Sequence, residues 1–274
     1  MTHAWDPQRY LTYADERGRP FVDLTTRIDA TDPKVVVDLG CGPGNLTSLL
    51  ADRWPSASIA GIDSSADMVR AATDSPAAEH VSFHRADLRD WLADVTPGSV
   101  DVLVSNATLQ WLPGHLDLMP ALVAALAPGG WLAFQVPGNA DQPTTTIREE
   151  LAAEPPYDAH TAGAATVAAH DAATYLRALR ALGCEVDAWE TTYLHLLPGP
   201  DPVFTWISGT GARPTIQSLP EDLRPGFETE LKARLAVAYP DGGAGVVMPF
   251  RRIFVVASCP QAGPPRVTCV GAAS

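Results

Sequence analysis

The chain of 274 residues has few cysteines and no long hydrophobic run. Its four cysteines, Cys41, Cys184, Cys259 and Cys269, lack metal-ligand spacing, which predicts reduced thiols rather than a disulfide framework or a metal site. No apolar run approaches membrane-spanning length, and the first residues lack the basic and apolar regions of a signal peptide. We therefore expect a soluble cytoplasmic protein without a bound metal.

Positive charge is also scarce. The chain has 19 Lys and Arg against 32 Asp and Glu, which gives a formal net charge of −13. This charge repels phosphate backbones and anionic lipids, so we expect neither nucleic acid nor a membrane as partner. The length fits one large domain with a sizeable insertion. We expect a monomer that acts on a small molecule.

The most informative stretch runs from Val35 to Asn45. A β-branched run ends near Asp38, and three glycines then alternate between positions 40 and 44. This pattern predicts a buried strand followed by a turn whose backbone can approach a ligand closely, although a turn without a ligand is the alternative. The dinucleotide-binding pattern of nicotinamide enzymes requires a third glycine where this chain has Asn45, so an oxidoreductase is not favoured.

The turn Asp-Leu-Gly-Cys-Gly-Pro-Gly instead resembles the nucleoside-binding turn of the class I S-adenosylmethionine-dependent methyltransferases. The resemblance implies S-adenosylmethionine as cofactor, with the acid at the strand end near its methionine part. A second acid, Asp63, stands where a Rossmann-type fold binds ribose hydroxyls, although a helix cap would also explain it. Asp87 and Leu88 resemble the pair that flanks adenine, and Asn106 should face the crevice. The implied cofactor-binding residues are Asp38, Gly40, Cys41, Gly42, Asn45, Asp63, Ser64, Asp87, Leu88 and Asn106.

Apolar runs predict seven strands, at about 35–38, 59–62, 81–84, 101–106, 131–136, 185–196 and 251–257. Helical patterns alternate with the first five, which predicts right-handed βαβ units and a parallel sheet. The resemblance implies that the last strand inserts antiparallel between the two before it. The expected fold class is α/β, a Rossmann-like class I methyltransferase fold with helices on both faces of a seven-stranded, mostly parallel sheet.

Other segments surround this methyltransferase domain, which we expect at 31–259. Residues 1–30 should form an N-terminal helical cap, and 198–245 a helical insertion over the active site. The Gly- and Pro-rich tail, 260–274, is predicted to be disordered. The stretch 138–172 is rich in Ala, Pro, Thr and Gly, which predicts mobile connections around one helix.

Motifs between Trp5 and Ala257 are similar, more narrowly, to those of the bacterial trans-aconitate 2-methyltransferases. They include Leu-Gln-Trp-Leu-Pro at 109–113 and Thr-Thr-Tyr at 191–193. The resemblance implies methyl transfer to a carboxylate of a small polycarboxylic acid, trans-aconitate, giving a monomethyl ester and S-adenosylhomocysteine. A carboxylate is ionised at neutral pH, so no catalytic base is expected. The Ala-rich stretch 161–169 departs from the family pattern and leaves the exact acid open.

A polyanionic substrate requires local arginines in a chain of this charge. The candidate substrate-binding residues are Tyr10, Arg17, Arg19, Gln110, Trp111, Tyr193, His195, Trp206, Arg213 and Arg252. Surface salt bridges explain any one arginine equally well. Two other functions stay open: an O-methyltransferase for another carboxylic acid or a natural-product hydroxyl, with His115 or His195 as base, and a non-enzymatic sensor of S-adenosylmethionine.

Overall fold

A computed structural model of the chain describes residues 14–164 and 167–259. The first part of the predicted N-terminal cap and the whole predicted tail therefore lie outside the described residues. Among the helices that are described, none combines the length and the apolar character that crossing a membrane requires.

One sheet contains the strands β1 Val35–Leu39, β2 Ser58–Asp63, β3 Ser82–Arg85, β4 Val100–Asn106, β5 Leu126–Pro137, β6 Glu185–Leu197 and β7 Val246–Ser258. Their order is β3-β2-β1-β4-β5-β7-β6. Strands β1 to β5 pair in parallel, whereas β7 runs antiparallel to both β5 and β6. The predicted seven-stranded sheet and its inserted last strand are thus confirmed. The strand order reverses between β1 and β4, which is where ligands bind in open sheets of this kind.

The α-helices of the described residues are α1 Ala14–Thr25, α2 Ser48–Arg53, α3 Ala66–Thr73, α4 Leu88–Asp94, α5 Met119–Ala125, α6 Pro143–Ala152, α7 Asp158–Thr161, α8 Ala172–Ala181, α9 Pro202–Ser208, α10 Arg213–Ser218 and α11 Arg224–Ala238. Short 3₁₀ turns lie at Pro76–Glu79, Leu109–Trp111 and His115–Leu118. Side chains determine several of the helix starts. Asp171, for example, accepts a hydrogen bond from the backbone N–H of Thr174 at 2.6 Å and so begins α8.

The central strands are buried on both faces, which explains their continuous apolar runs. On β4, Val102 and Val104 face one side, where they join a cluster with Phe21 and Leu24 of α1. Leu103 faces the other side, in a cluster formed with α5 and α8. The described part of the predicted cap is therefore a helix that packs on the sheet.

Strands β6 and β7 continue past the other strands of the sheet as an antiparallel pair, and their pairing ends at Leu197 and Val246. Strand β7 is longer than the predicted strand because Val246 and Met248 bury alternate side chains against α11. Residues 198–245 connect the two strands and include α9, α10 and α11. The ends of β6 and β7 and the helices that connect them form a third apolar cluster, which also includes Leu151 of α6.

Two cysteines that are far apart in the sequence are neighbours in the fold. The Sγ atoms of Cys184 and Cys259 lie 3.8 Å apart, at the ends of the paired strands β6 and β7. Both are thiols, as is Cys41. Burial raises the pKa of Cys184, and it raises the pKa of Cys259 to about 12. Both groups are therefore protonated, unreactive thiols at neutral pH.

Candidate active site

The glycine turn after β1 lies against the end of β2. The backbone N–H groups of Gly40 and Cys41 donate to the carbonyl of Ile62, at 2.7 and 3.1 Å. At Gly40, where φ is 79°, a Cβ would lie 1.9 Å from Oγ1 of Thr108. At Gly42, where φ is 57°, nothing lies within 4 Å of a Cβ. The turn therefore has no space for a side chain at its first glycine and leaves room for a ligand beside its second.

Asp38 is buried next to this turn, and its Oδ2 accepts a hydrogen bond from Oγ1 of Thr47 at 2.6 Å. Burial raises the pKa of Asp38 to about 7, since the Thr47 hydrogen bond opposes the effect only in part and the charge of Asp63 adds to it. Within the described residues, Oδ1 of Asp38 has no hydrogen-bond partner. A cation bound at this strand end would stabilise the carboxylate, so the residues fit a cationic cofactor.

Asp63 holds the glycine turn and the start of α3 together. Its Oδ2 accepts from the N–H of Gly42 at 3.0 Å, and its Oδ1 accepts from that of Ser65, the N-cap of α3, at 2.8 Å. Burial raises the pKa of Asp63, and these two bonds lower it. Each carboxylate oxygen keeps a second lone pair, so the predicted contact with ribose hydroxyls is compatible with the cap role. The carbonyl of Ser64 accepts from Nε of Arg85 at 3.2 Å.

The other predicted cofactor residues have local structural roles as well. Asp87 is exposed and caps α4, with its Oδ1 accepting from the N–H of Arg89 at 2.8 Å. Leu88 is only 6% exposed and packs in the core, so little of its side chain is left to cover an adenine. Asn45 is half-buried, and its carbonyl accepts from Oγ of Ser48 at 2.9 Å. The contacts of these residues with a cofactor stay predictions.

The end of β4 joins the glycine turn to a neighbouring cavity. Oγ1 of Thr108 donates to the carbonyl of Gly40 at 3.4 Å. Ala107 has a φ of 54°, a left-handed conformation that costs a non-glycine residue about 1 to 2 kcal/mol. Asn106 and Ala107 both line the cavity, and Oδ1 of Asn106 lies 2.7 Å from the side-chain amide of Gln135. The strained residue thus stands where the predicted cofactor turn meets the cavity.

The cavity has a volume of about 200 Å³ and lies beyond the carboxyl ends of β4 and β5. Trp111, Trp206 and Phe250 give it an aromatic wall. The segments that contribute lining residues are distant in sequence, at 106–111, 137–148, 167–171, 206–212 and 250–253. A cavity of this kind, largely apolar with a few polar groups, is typical of a small-molecule site.

Three arginines line this cavity: Arg148 of α6, and Arg251 and Arg252 of β7. Arg148 is only 6% exposed, and its Nη1 donates to Oγ1 of Thr215 at 3.0 Å. Its Nη2 pairs with Glu149 at 2.9 Å. Burial lowers the pKa of Arg148, whereas the charge of Glu149 raises it. A guanidinium keeps its charge at neutral pH even when its pKa is reduced.

The two arginines of β7 contact different neighbouring residues. Nε of Arg251 donates to the carbonyl of Gly138 at 2.6 Å, and its Nη1 lies 3.5 Å from a carboxylate oxygen of Glu190. Nη1 of Arg252 lies 3.3 Å from the side chain of Gln135, and its guanidinium stacks 4.5 Å from the centroid of the Phe250 ring. Three arginines and one acid, Asp171, are thus among the described lining residues. The wall therefore carries a local excess of positive charge in a chain of net charge −13, even though Glu149 and Glu190 pair with two of the arginines.

Four of the predicted substrate residues line the cavity: Gln110, Trp111, Trp206 and Arg252. Gln110 is 3% exposed, and its Nε2 donates to the carbonyl of Ala107 at 2.6 Å. This bond fixes the orientation of the amide. The predicted Trp111 and Arg252 thus lie at the same cavity, and their contact with a substrate stays a prediction.

Tyr193 and Arg19, two further predicted substrate residues, do not line the cavity. The hydroxyl of Tyr193 donates to Oδ2 of Asp23 in α1 at 2.6 Å, and its ring packs in the core under α1. Arg19 is exposed and lies 5.0 Å from the centroid of the Tyr193 ring and 4.0 Å from Asp23. Side chains alternate between the faces of β6, and Tyr193 points to the α1 face. These residues attach α1 to the sheet.

Of the other predicted residues, two whose side chains are described do not line the cavity. His195 lies behind the wall, where its ring centroid is 4.6 Å from that of Trp206. Arg213 is the first residue of α10, which places it next to the lining residue Ala212. The side chain of Arg17 is not described. Tyr10 lies outside the described residues.

His115, the other histidine considered as a base, is buried in the core. Its Nε2 lies 2.6 Å from the hydroxyl of Tyr175 and its Nδ1 3.3 Å from the carbonyl of Leu112. Burial lowers the pKa of His115. Both nitrogens have protein partners, so His115 is not placed to take a proton from a substrate. Among the histidines of the described residues, His170 is the one that lines the cavity.

The sequence motifs do not point to Arg148, Arg251 or Asn139, which the structure brings to the cavity. One available signal was the spacing of Thr144 and Arg148, which puts both on one face of a helix. The stretch 138–172 was predicted as mobile connections around one helix, near 146–152, so the helix was expected but its place at the cavity was not. In the structure this helix is α6, and the stretch supplies much of the wall.

Comparisons with known proteins show the family to which the chain belongs. The family described as a methyltransferase domain matches residues 12–188. The trans-aconitate 2-methyltransferase of Streptomyces avermitilis is 49% identical over 263 residues, which cover 93% of this chain and 96% of that protein. The enzyme of the same name from Streptomyces coelicolor is 48% identical over 270 residues, with 94% and 87% covered.

Solved structures resemble the fold at low sequence identity. The [4+2]-cyclase SpnF has a TM-score of 0.56 at 15% identity, with 94% of this chain and 87% of that chain covered. The phosphoethanolamine N-methyltransferase 2 of Haemonchus contortus, solved in complex with S-adenosyl-L-methionine, has a TM-score of 0.54 at 15% identity, with 89% and 53% covered. These two likenesses concern the fold alone.

Proposed function

Since this chain belongs to the family of trans-aconitate 2-methyltransferases, we propose that it methylates a carboxylate of trans-aconitate in the cavity next to the glycine turn. The observation that carries the proposal is the presence of Arg148, Arg251 and Arg252 around one cavity in a chain of net charge −13. Such a concentration of arginine suits a ligand with several carboxylates, because the N–H groups that the arginines do not use within the protein can donate charge-assisted hydrogen bonds to them.

The cofactor is S-adenosylmethionine, which when bound supplies a methyl group on a positively charged sulfur. Residues at the ends of β1, β2 and β4 fit this molecule. The raised pKa of Asp38 would fall beside a cationic ligand, and the open space next to Gly42 lets backbone approach it. Asp63 has lone pairs for the ribose hydroxyls. Asn106 stands between this region and the arginines.

The arginines hold the carboxylates that do not react, and so direct the remaining carboxylate toward the end of β4. Its oxygen forms the new bond to the methyl carbon while the bond from sulfur to that carbon breaks, and the sulfur keeps the electron pair. The carboxylate is already ionised at neutral pH, so no residue needs to remove a proton. Trp111, Trp206 and Phe250 exclude water that would otherwise mask the nucleophile.

A hydroxyl acceptor would require a base within hydrogen-bond reach. His115 and His195 do not line the cavity, which leaves His170 as the histidine for that role among the described lining residues. The arginine-rich wall favours the carboxylate. We also propose that the enzyme works as a cytoplasmic monomer without a nucleic acid or membrane partner, as its charge and cysteine content suggest.

The test is to incubate the protein with methyl-labelled S-adenosylmethionine and a panel of acids. The panel contains trans-aconitate, cis-aconitate, citrate, isocitrate and several monocarboxylic acids, and any ester is identified by mass. We expect a monomethyl ester from trans-aconitate and none from the monocarboxylic acids. Labelling of a hydroxyl compound with no labelled tricarboxylate would contradict the proposal.

A further inference from the structure

The two elements that carry the cavity arginines are joined by one side chain, that of Asn139. Its Oδ1 accepts from the backbone N–H of Arg251 at 2.8 Å, and its Nδ2 donates to the carbonyl of the same residue at 3.1 Å. Asn139 is 9% exposed. The pattern of donor and acceptor on Arg251 fixes which end of the amide is oxygen.

These two bonds continue the ladder between β5 and β7 after β5 has ended. The last paired residues of the two strands are Pro137 and Arg252. Beyond them the N–H of Gly138 still donates to the carbonyl of Arg251 at 3.0 Å. The amide of Asn139 then supplies the donor and acceptor that a further strand residue would have supplied. It therefore fixes the backbone of Arg251, and with it the neighbouring Arg252, at the wall of the cavity.

Asn139 is also bound to the start of α6. Its carbonyl accepts from Oγ1 of Thr145 at 2.8 Å and from the N–H of Gln142, the N-cap of α6, at 3.2 Å. Arg148 follows Thr145 by three residues, on the same helix. The side chain of Asn139 thus holds the strand with two arginines, and its carbonyl holds the helix with the third.

We propose that Asn139 is a positioning residue that sets the separation between Arg148 and the pair formed by Arg251 and Arg252. That separation selects acids whose carboxylates match it in spacing. The inference rests on the proposed function, since it concerns how the same cavity recognises its substrate. The oxygen and the nitrogen of the Asn139 amide both bind the backbone of Arg251. Asn139 therefore acts through the arginines and not by contact with the reacting atoms.

The first test compares Asn139→Ala with wild type. Binding of trans-aconitate is measured by calorimetry in the presence of S-adenosylhomocysteine, and KM and kcat are measured separately. We expect Kd and KM for the acid to rise roughly tenfold or more, because misplaced guanidinium groups lose charge-assisted hydrogen bonds. We expect kcat at saturation and the affinity for S-adenosylhomocysteine to change by less than about threefold.

A double variant separates positioning from general loss of structure. In an Arg148→Met background, Asn139→Ala should raise KM much less than it does in wild type, because the aligned partner is already missing. If Asn139→Ala does not fold, Thr145→Val replaces it in the test, because it removes the hydrogen bond from Thr145 to the carbonyl of Asn139. Thr145→Val should raise KM by a smaller factor than the one expected for Asn139→Ala. Thr146→Val is the matched control, as this neighbouring threonine does not line the cavity, and should behave like wild type.

Three results would overturn the inference, and they are distinguishable. Wild-type protein that binds none of the tricarboxylates overturns the proposed function and the positioning role together. Wild-type protein that binds trans-aconitate, with Asn139→Ala and Thr145→Val binding it equally well, overturns the positioning role alone. Additive effects of Asn139→Ala and Arg148→Met would also overturn it.

Discussion

The two sides of the site are built in different ways. The predicted cofactor side comes from the turns that follow β1, β2 and β4, which are adjacent in the sheet. Its shape depends on backbone conformation, with positive φ at Gly40, Gly42 and Gly44, and its contacts join residues close in the sequence, as between Gly42 and Asp63, 21 residues apart. The cavity wall depends on side chains brought together across the fold, such as Asn139 and Arg251, 112 residues apart.

This difference explains how each side should respond to change. A turn defined by backbone conformation has few acceptable residues, so a change there removes the site altogether. A wall built from several side chains loses one interaction at a time, so a change there alters affinity by steps. The cofactor side is therefore expected to tolerate substitution less well than the cavity wall.

The largest effect is expected for Gly40→Val. A Cβ at this position would lie 1.9 Å from Oγ1 of Thr108, at a φ of 79° that β-branched residues avoid. We expect loss of S-adenosylmethionine binding, measured by calorimetry, together with a lower Tm. Gly42→Ala is the control for stability only, because nothing lies within 4 Å of its Cβ and its cost is that of the positive φ, about 1 kcal/mol. An equal loss of Tm in the two variants would refute the described turn.

A smaller, graded effect is expected for Arg148→Met on the cavity wall. A lost charge-assisted hydrogen bond corresponds to about 1.5 to 3 kcal/mol, so KM for trans-aconitate should rise roughly ten- to hundredfold. The affinity for S-adenosylmethionine should stay nearly unchanged. Arg213→Met is the matched control, since Arg213 does not line the described cavity, and its effect on KM should be small. A larger effect at 213 than at 148 would show that the acid binds elsewhere.

Asp38 provides a pH-dependent test of the cofactor side. Its folded pKa is about 7, well above its value in an unfolded chain of about 3.9, so the folded protein holds a proton that the unfolded chain has lost between these values. The free energy of unfolding should therefore fall as pH rises through this window. Asp38→Asn should remove that fall and make the ligand-free protein more stable than wild type at pH 8, by roughly 1 to 4 kcal/mol.

The measurement is the Tm of both proteins from about pH 4.5 to 8, without ligand. Asp87→Asn is the control, because Asp87 is exposed. The same Asp38→Asn variant should bind S-adenosylmethionine more weakly, since the carboxylate that would face the cation is gone. A stability difference that does not vary with pH would mean that Asp38 is ionised throughout.

The smallest effect is expected in the pH dependence of catalysis. With saturating cofactor and substrate, single-turnover kcat should be nearly constant between about pH 6.5 and 9, because a carboxylate nucleophile has no proton to lose. His170→Gln should leave this profile unchanged in shape. A tenfold rise per pH unit near pH 6.5 that disappears in His170→Gln would favour a hydroxyl acceptor.

The sequence by itself determined the sheet and the cofactor turn. Strands buried on both faces must be continuous apolar runs, and a turn that requires positive φ must contain glycine, so both features are visible in consecutive residues. This is why the strands from Val35 to Asn106 and the turn at Gly40 and Gly42 were predicted close to their observed positions. Two residues predicted to bind substrate, Trp111 and Arg252, also line the cavity.

Only the tertiary structure decided which polar side chains face the cavity. An arginine has the same local pattern whether it faces a ligand, a carboxylate or water, and its neighbours in space come from other parts of the chain. Arg148 and Arg251, which line the cavity, were therefore not among the predicted residues, whereas the predicted Tyr193 and Arg19 lie outside it and contact α1 residues or each other. The side to which a strand residue points depends on its register with distant strands, and that register is fixed only when the whole sheet has formed.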